Sequence, residues 1–466
     1  MKEVNHKFYK LLIIPLMLAV LVFSSIVSAQ ETITLEQALK WGIKNNAGLQ
    51  EKIYDEKKAL IDLESAKKAF YPEISFSTSY TRMFLDEGDS SGDSGNTVPV
   101  PESDFDSVLF NNMMEIMSAV QPSEDNYKTG ISIQQPLYLG GKIWLGMEQA
   151  EIGLDMAELQ VGQKENELLL DIIQSYYNVL LAQERVDIEK EALELVREHR
   201  RTAEVSYKAG ITLKTDVLQV EIEEGKAVHS LEVARNDLLM AKKMLGNVIG
   251  FDLEDKEFIQ PGFKPDLNLE KDKQYEIAKQ NRIELELLSL NKEILETNLQ
   301  MEKNSHLPNI ILSGNYQWQG EEFSLNDGTG SITLSASVNI FDRGLSKNKE
   351  DKINEDIKKL DLNRSNLEEL VEIEIEDLLL TIKENKNNIE LQELNLKKAE
   401  ENLELETKSY KVGMGTNVDV MNAQMVLKQT KIAGMQAEYQ YKINLFKLLQ
   451  KTGQLADYCE GVIINE

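Results

Sequence analysis

Two hydrophobic periods alternate along this chain. From Thr34 to about Phe70 apolar residues recur at helical spacing, and Gln37, three residues after Thr34, completes a capping-box sequence. Pro72 forces its neighbour into extended conformation and ends the run. The period then drops from 3.6 to 2. Ile74, Phe76, Thr78 and Tyr80 alternate with Ser75, Ser77, Ser79 and Thr81, and Tyr127, Thr129, Ile131 and Ile133 alternate with Lys128, Gly130, Ser132 and Gln134. Further on, Ile310, Leu312, Tyr316 and Trp318 alternate with Ser313, Asn315 and Gln317. A fourth series, Ile332, Leu334, Ala336, Val338 and Ile340, alternates with Ser331, Thr333, Ser335, Ser337 and Asn339. The pattern predicts four strands of about ten residues, each with one apolar and one hydroxyl-rich face.

Between the strand pairs the helical period returns. Lys142 to Ser206 and Leu345 to Ser409 each read as one helix without proline, roughly 100 Å long at 1.5 Å per residue. A seven-residue apolar series, Ile172, Val179, Val186 and Leu193, marks a coiled-coil seam in the first. Its counterpart in the second is Ile375, Ile382, Ile389 and Leu396. Shorter helices are expected at about 34 to 69 and 214 to 248, so that two stacked end to end match one long helix.

These correspondences belong to an internal repeat. An offset of 203 superposes Leu137/Ile340, Tyr138/Phe341, Gly141/Gly344, Tyr207/Tyr410, Lys208/Lys411, Gly210/Gly413, Asp216/Asp419 and Val217/Val420. Upstream, an offset of 236 pairs Leu49/Leu285, Leu63/Leu299, Pro72/Pro308 and Ile74/Ile310. The difference places an insertion in the first half, and the units are far longer than solenoid repeats. Each unit reads helix, strand, strand, long helix, turn, helix.

Composition narrows the function. Of 466 residues, 79 are acidic and 51 basic, a net charge of −28 that supplies no basic stripe for nucleic acid. One cysteine, Cys459, excludes an internal disulfide framework and cysteine-based metal sites, and it is given no role. Lys2, Lys7 and Lys10, the apolar run Leu11 to Val27 and the Val27-Ser28-Ala29 site predict a cleaved secretory signal over 1–29. Elsewhere no stretch of about 18 apolar residues occurs, and mean hydropathy is −0.35. If the mature chain crosses a membrane, it must do so with strands.

The alternating strands admit two accounts. One is a sheet on a soluble core; the flanking segments, helical throughout, offer it no covering layer. The other is lipid on the apolar face, which suits the strand length and the aromatics near strand ends. Phe70, Tyr71, Tyr138 and Phe341 gather at one edge, Phe84, Tyr127, Tyr316 and Trp318 towards the other. On that account Ile74, Phe76, Ile131, Ile133, Ile310, Leu312, Leu334 and Val338 face lipid. Four strands cannot close a barrel, since small ones need about eight, so a cyclic oligomer follows.

Several local sequences resemble the TolC-like outer-membrane efflux proteins. The strand starts Tyr71-Pro72-Glu73-Ile74 and Leu307-Pro308-Asn309-Ile310 are two of them. The strand exits Gln135-Pro136-Leu137-Tyr138-Leu139-Gly140-Gly141 and Asn339-Ile340-Phe341-Asp342-Arg343-Gly344 are two more. The family turn Y-x-x-G-x(5)-D-V-[LM] occurs at Tyr207 to Leu218 and again at Tyr410 to Met421. The likeness spans roughly 34 to 450. It implies a mostly helical, internally duplicated fold with four strands per chain. Three chains then form a twelve-stranded outer-membrane barrel continued by a periplasmic α-helical coiled-coil barrel. It also implies an exit duct of a tripartite efflux pump or type I secretion system, docked on a periplasmic adaptor and an inner-membrane transporter. By matched position, Tyr410 would help hold the periplasmic gate shut and Asp419 would join an acidic ring. Asn422 stands where some members carry a further Asp, and Gly415 where some carry Arg. The turn tips Tyr207, Lys208, Gly210, Asp216, Lys411 and Gly413 would meet the adaptor. For Asp216 the residues themselves favour a capping role, a carboxylate at a helix start.

The implied domain order is a first repeat over 30–250, a linker over 251–269, a second repeat over 270–452 and a tail over 453–466. The insertion 83–126 holds ten acidic residues and no basic one, and hairpin geometry places it outside the cell. It reads as a solvated loop; Asp89, Ser91 and Asp93 fail the EF-hand pattern. His199, His229 and His306 lack ligand spacing and no phosphate-cradling loop occurs, so neither enzyme chemistry nor a cofactor or metal is expected. A non-channel coiled-coil scaffold is the alternative function.

Overall fold

The computed structural model describes residues 32–83, 125–262 and 265–464. The predicted signal and most of the acidic insertion lie outside these residues. Contacts divide the chain into two units. Among the described residues, one comprises 32–58, 155–262, 265–291 and 359–464; the other comprises 59–83, 125–154 and 292–358.

The second unit holds the strands β2 (Glu73–Arg82), β3 (Asp125–Leu139), β5 (Asn309–Gly320) and β6 (Thr329–Ser337). They form one antiparallel sheet in the order β2-β3-β5-β6, which leaves β2 and β6 as edges. Opposed residues share a face. Register therefore puts Ile74 with Ile133, Phe76 with Ile131, Ile131 with Tyr316 and Leu312 with Leu334 on one apolar face. Ser75 with Ser132, Ser132 with Asn315 and Asn315 with Ser331 run across the other. There the Ser75 and Ser132 hydroxyls hydrogen-bond at 2.6 Å. A bulge between Pro136 and Tyr138 shifts the register by one residue and returns Tyr138 to the apolar face opposite Ile310. Rings collect at both ends: Phe70 on Trp144 and, at the far end, Tyr80 on Tyr127 and Tyr316 on Trp318, each pair 4.8 Å apart.

Two expectations need correction here. The fourth strand stops at Ser337, so Val338 lies beyond it. Its partner β5 starts at Asn309, and the preceding Pro308 has no N–H with which to extend the ladder. The strand exit Gln135 to Leu139, in contrast, still belongs to β3.

The helices lie mostly in the other unit, which also holds two short strands. After the short strand β1 (Thr32–Ile33) come α1 (Leu35–Asn45) and α2 (Ala47–Lys68), not one continuous helix. Asn46 takes an extended conformation, and its side chain serves both neighbours. Its Oδ1 accepts from the Leu49 N–H at 3.1 Å and caps α2, while its Nδ2 donates to the Val248 carbonyl at 2.9 Å. The Thr34 capping box forms as spelled: Thr34 Oγ1 accepts from Gln37 N and Gln37 Oε1 from Thr34 N. The long helices α3 (Lys142–Lys208) and α7 (Leu345–Lys411) have 67 residues each. Their shorter partners are α4 (Lys214–Ile249) and α8 (Asn417–Lys451). Strand β4 (Glu257–Phe258) pairs with β1 in parallel. Then α5 (Lys271–Asn281) and α6 (Ile283–Lys303) break at Arg282, and α9 (Leu455–Ile464) follows α8.

The core centres on Ile172, Tyr176, Val179, Ile249 and Phe446. Tyr176 is its anchor, sharing its hydroxyl proton between the carbonyls of Ile33 (2.8 Å) and Ile259 (2.7 Å). Further along the seam Val186 and Leu193 pack on Leu231 and Ala234 of α4. In α7, Ile375 and Ile382 are buried, whereas Ile389 and Leu396 are only half-buried within one chain. Cys459 is buried in the main core as a small apolar side chain.

Candidate functional site

The helix turns bring most of the predicted tip residues together. Each long helix ends in a lysine, Lys208 or Lys411, followed by a glycine with positive φ, 74° at Gly210 and 76° at Gly413. Glycine is needed there because a Cβ in that conformation meets the following carbonyl. Asp216 lies in the first turn of α4, where its carboxylate accepts from the Leu213 N–H at 3.4 Å. Asp419 occupies the same place in α8 and makes a fuller box. Its carboxylate accepts from the Thr416 N–H (3.1 Å) and hydroxyl (2.5 Å), and Thr416 Oγ1 accepts from Asp419 N (3.3 Å). Those Thr416 donors hold the Asp419 carboxyl below its usual pKa. Asn422 is exposed one turn further on.

The two tyrosines of the repeated turn differ. Tyr207 is 44% exposed, with Lys214 Nζ 5.8 Å from its ring centre, while Tyr410 is only 6% exposed. Tyr410 packs its ring edge-on against His199 of α3, 5.0 Å between centres. Its hydroxyl is buried beside that of Thr212, and neither finds a well-formed hydrogen bond among the described residues. Burial, reinforced by the Asp216 charge, pushes the phenol pKa up.

His199 itself is 5% exposed, and its Nε2 lies 2.5 Å from Asn417 Oδ1. Asn417 Nδ2 donates to the Asp216 carbonyl (3.4 Å) and to Gln219 Oε1 (3.2 Å). One cluster thus ties α3, α4, α7 and α8. Above it Lys428 reaches the buried Glu189 at 3.3 Å, Lys431 reaches Glu191 at 2.7 Å, and Gln424 donates to the Leu195 carbonyl. Sequence reasoning set His199 aside for want of ligand spacing and did not single out Asn417. The offset of 203 places Asn402 and Lys214 at their matched positions, so the repeat carried no signal for either.

Among the described residues no group of three or more potential ligands could hold a metal, and no helix is long and apolar enough to cross a membrane. The apolar sheet face and paired turns are what the chain offers. The model of the family described as "Outer membrane efflux protein" matches residues 42–250 and 275–454. The chain belongs to that family. It is an outer-membrane protein, and the family is one of channels, not of enzymes. Curated relatives include outer membrane protein TolC of Vibrio cholerae serotype O1, 21% identical over 72% of this chain and 78% of the relative. TolC of Escherichia coli K12 is also 21% identical, over 67% of this chain and 66% of its own length. Among solved structures, the Campylobacter jejuni CmeC outer membrane channel superposes with a TM-score of 0.71. It is 15% identical, with 92% of this chain and 89% of that one covered. VceC of Vibrio cholerae gives 0.69 at 15% identity, covering 90% and 96%. At that identity these structures speak for the fold.

Proposed function

We propose that three copies of this chain pool their strands into a twelve-stranded barrel and form the outer-membrane exit duct of a tripartite efflux pump or type I secretion system. The observation that carries this is the four-stranded sheet with a continuous apolar face and two unpaired edges, β2 and β6. A sheet in lipid leaves no backbone group unpaired, so its edges must meet those of further copies. Ile74, Phe76, Ile131, Ile133, Ile310, Leu312 and Leu334 then face the bilayer, and the hydroxyl ladder faces water.

The long helices carry the duct through the periplasm, with the α3–α4 and α7–α8 turns at the end that docks the adaptor. Tyr207, Lys208, Gly210, Asp216, Lys411 and Gly413 lie at those turns, and exposed Leu213, Val412 and Met414 supply apolar contact. Tyr410, Asp419 and Asn422 belong to the gate. Internal duplication is supported by matched backbone geometry: Gly140 and Gly141 have φ of 61° and 82°, Arg343 and Gly344 61° and 81°. The helix breaks at Asn46 and Arg282 are also 236 positions apart. The deciding experiment is planar-bilayer recording on detergent-extracted protein of measured mass. Trimers with discrete conductance steps are expected; a monomer released by urea alone, without conductance, overturns the reading in favour of a coiled-coil scaffold.

A further inference from the structure

The buried histidine at the four-helix junction has no part in the duct as described so far. We propose that His199 is a proton-operated latch on the periplasmic gate: neutral, it ties α3 to α7 and α8, and on taking up a second proton it lets them part. The inference rests on the reading of the helix turns as a channel gate.

Hydrogen bonding fixes the neutral form. Asn417 commits its Nδ2 as donor to the Asp216 carbonyl and to Gln219, leaving Oδ1 as the acceptor for His199. Nε2 therefore carries the ring proton, and any second proton must go to Nδ1. That would place a cation at a site 5% exposed, edge-on to the Tyr410 ring, where no carboxylate among the described residues hydrogen-bonds the imidazole.

The surroundings do not compensate such a charge. From α7 come the neutral Tyr410 phenol and the exposed Lys411 cation, which shares the adjoining cleft with the Glu198 anion of α3. From α4, Asp216 touches Asn417 through its backbone carbonyl, while its carboxylate turns to Leu213 N. From α8, Asp419 is engaged with Thr416. On α3 itself Glu198 lines the adjoining cleft with Thr202, Thr407 and Gln424, which gives water a route to the ring. Burial accordingly depresses the affinity of His199 for a proton, and the Asn417 bond opposes that less strongly.

The sign follows. The latched state binds fewer protons than a parted one with a solvated imidazole, so acid favours parting. The latch is at full strength above the ordinary histidine value of 6.5 and is lost as pH falls below it.

Two measurements on the full-length protein in detergent, wild type and His199→Gln, test this. Glutamine donates to Asn417 Oδ1 yet cannot be protonated. Amide exchange over residues 405–425, corrected for intrinsic rate, should speed up from about pH 7.5 to about pH 5.5 in wild type and not in the variant. Bilayer conductance should rise over the same interval in wild type only. Equal acid-induced exchange in both proteins, or none in wild type, overturns the latch even if both conduct. Loss of protection confined to wild type without conductance at any pH retains the latch and overturns the channel.

Discussion

Gly453 sits against the backbone of Asn281: a Cβ added to the glycine would lie 2.5 Å from the Asn281 carbonyl oxygen. Gly250, 203 positions earlier, approaches Asn45 in the same way, at 3.1 Å to its Cβ. Both glycines hold positive φ, 73° and 71°, so alanine suffers backbone strain at either site. Only Gly453 adds a collision with backbone atoms that cannot rotate away. Gly453→Ala should destabilise by roughly 2 kcal/mol or more and Gly250→Ala by about 1 kcal/mol. Thermal unfolding of the two variants checks the order; equal losses would refute the collision.

The two sheet faces predict opposite tolerances. Phe76 and Ser77 are adjacent in β2 but pair with Ile131 and Gly130 on different faces. Phe76→Arg should cost about 2–4 kcal/mol if that face meets the bilayer midplane, and Ser77→Arg little. The amount of assembled protein recovered from outer membranes reads the difference. Comparable recovery of both would remove lipid from the apolar face.

Much of this arrangement is legible in the chain. The period-2 runs, the Thr34–Gln37 box and the repeated turn glycines are local signals, and the structure realises them except for the last residues of the fourth run. What escaped depends on distant partners. Asn46 breaks the first helix while its amide reaches Val248. Thr32–Ile33 and Glu257–Phe258 form a ladder of two residues a side, too short to leave a pattern. The end of β6 is set by Pro308 on its neighbour, not by its own alternation, which continues through Val338 and Ile340. His199 acquires meaning only through Asn417 and Tyr410, contributed by the second half of the sequence.

If Tyr410 belongs to the gate as proposed, its ring, packed on His199, is what would act there. With its hydroxyl buried and without a hydrogen-bond partner among the described residues, Tyr410→Phe should be neutral or stabilising by up to about 1–3 kcal/mol and leave closure intact. Tyr410→Ala should cost about 2–4 kcal/mol by opening a cavity beside His199. A Phe variant as leaky as the Ala variant, by single-channel conductance, would show that the hydroxyl matters.

Asp419 has two separable roles, helix cap and fixed charge. Asp419→Ala removes both and should widen the resting entrance; Asp419→Asn keeps an acceptor for Thr416 N and should retain more helix order at the start of α8. Because Thr416 lowers the Asp419 pKa from 3.8, its contribution is present above that value and lost only as pH falls through the lowered one. Conductance changes between about pH 5 and 7 that persist in Asp419→Asn therefore come from another group. Unaltered conductance and cation block in Asp419→Ala would remove this residue from the gate.

Tyr127 is paired with Gly320 across the β3–β5 seam, so the middle of the sheet joins segments from opposite halves of the chain. The β2–β3 hairpin is complete long before β5 has been made. During export it must wait with its oily side uncovered, and closing so distant a seam is slow.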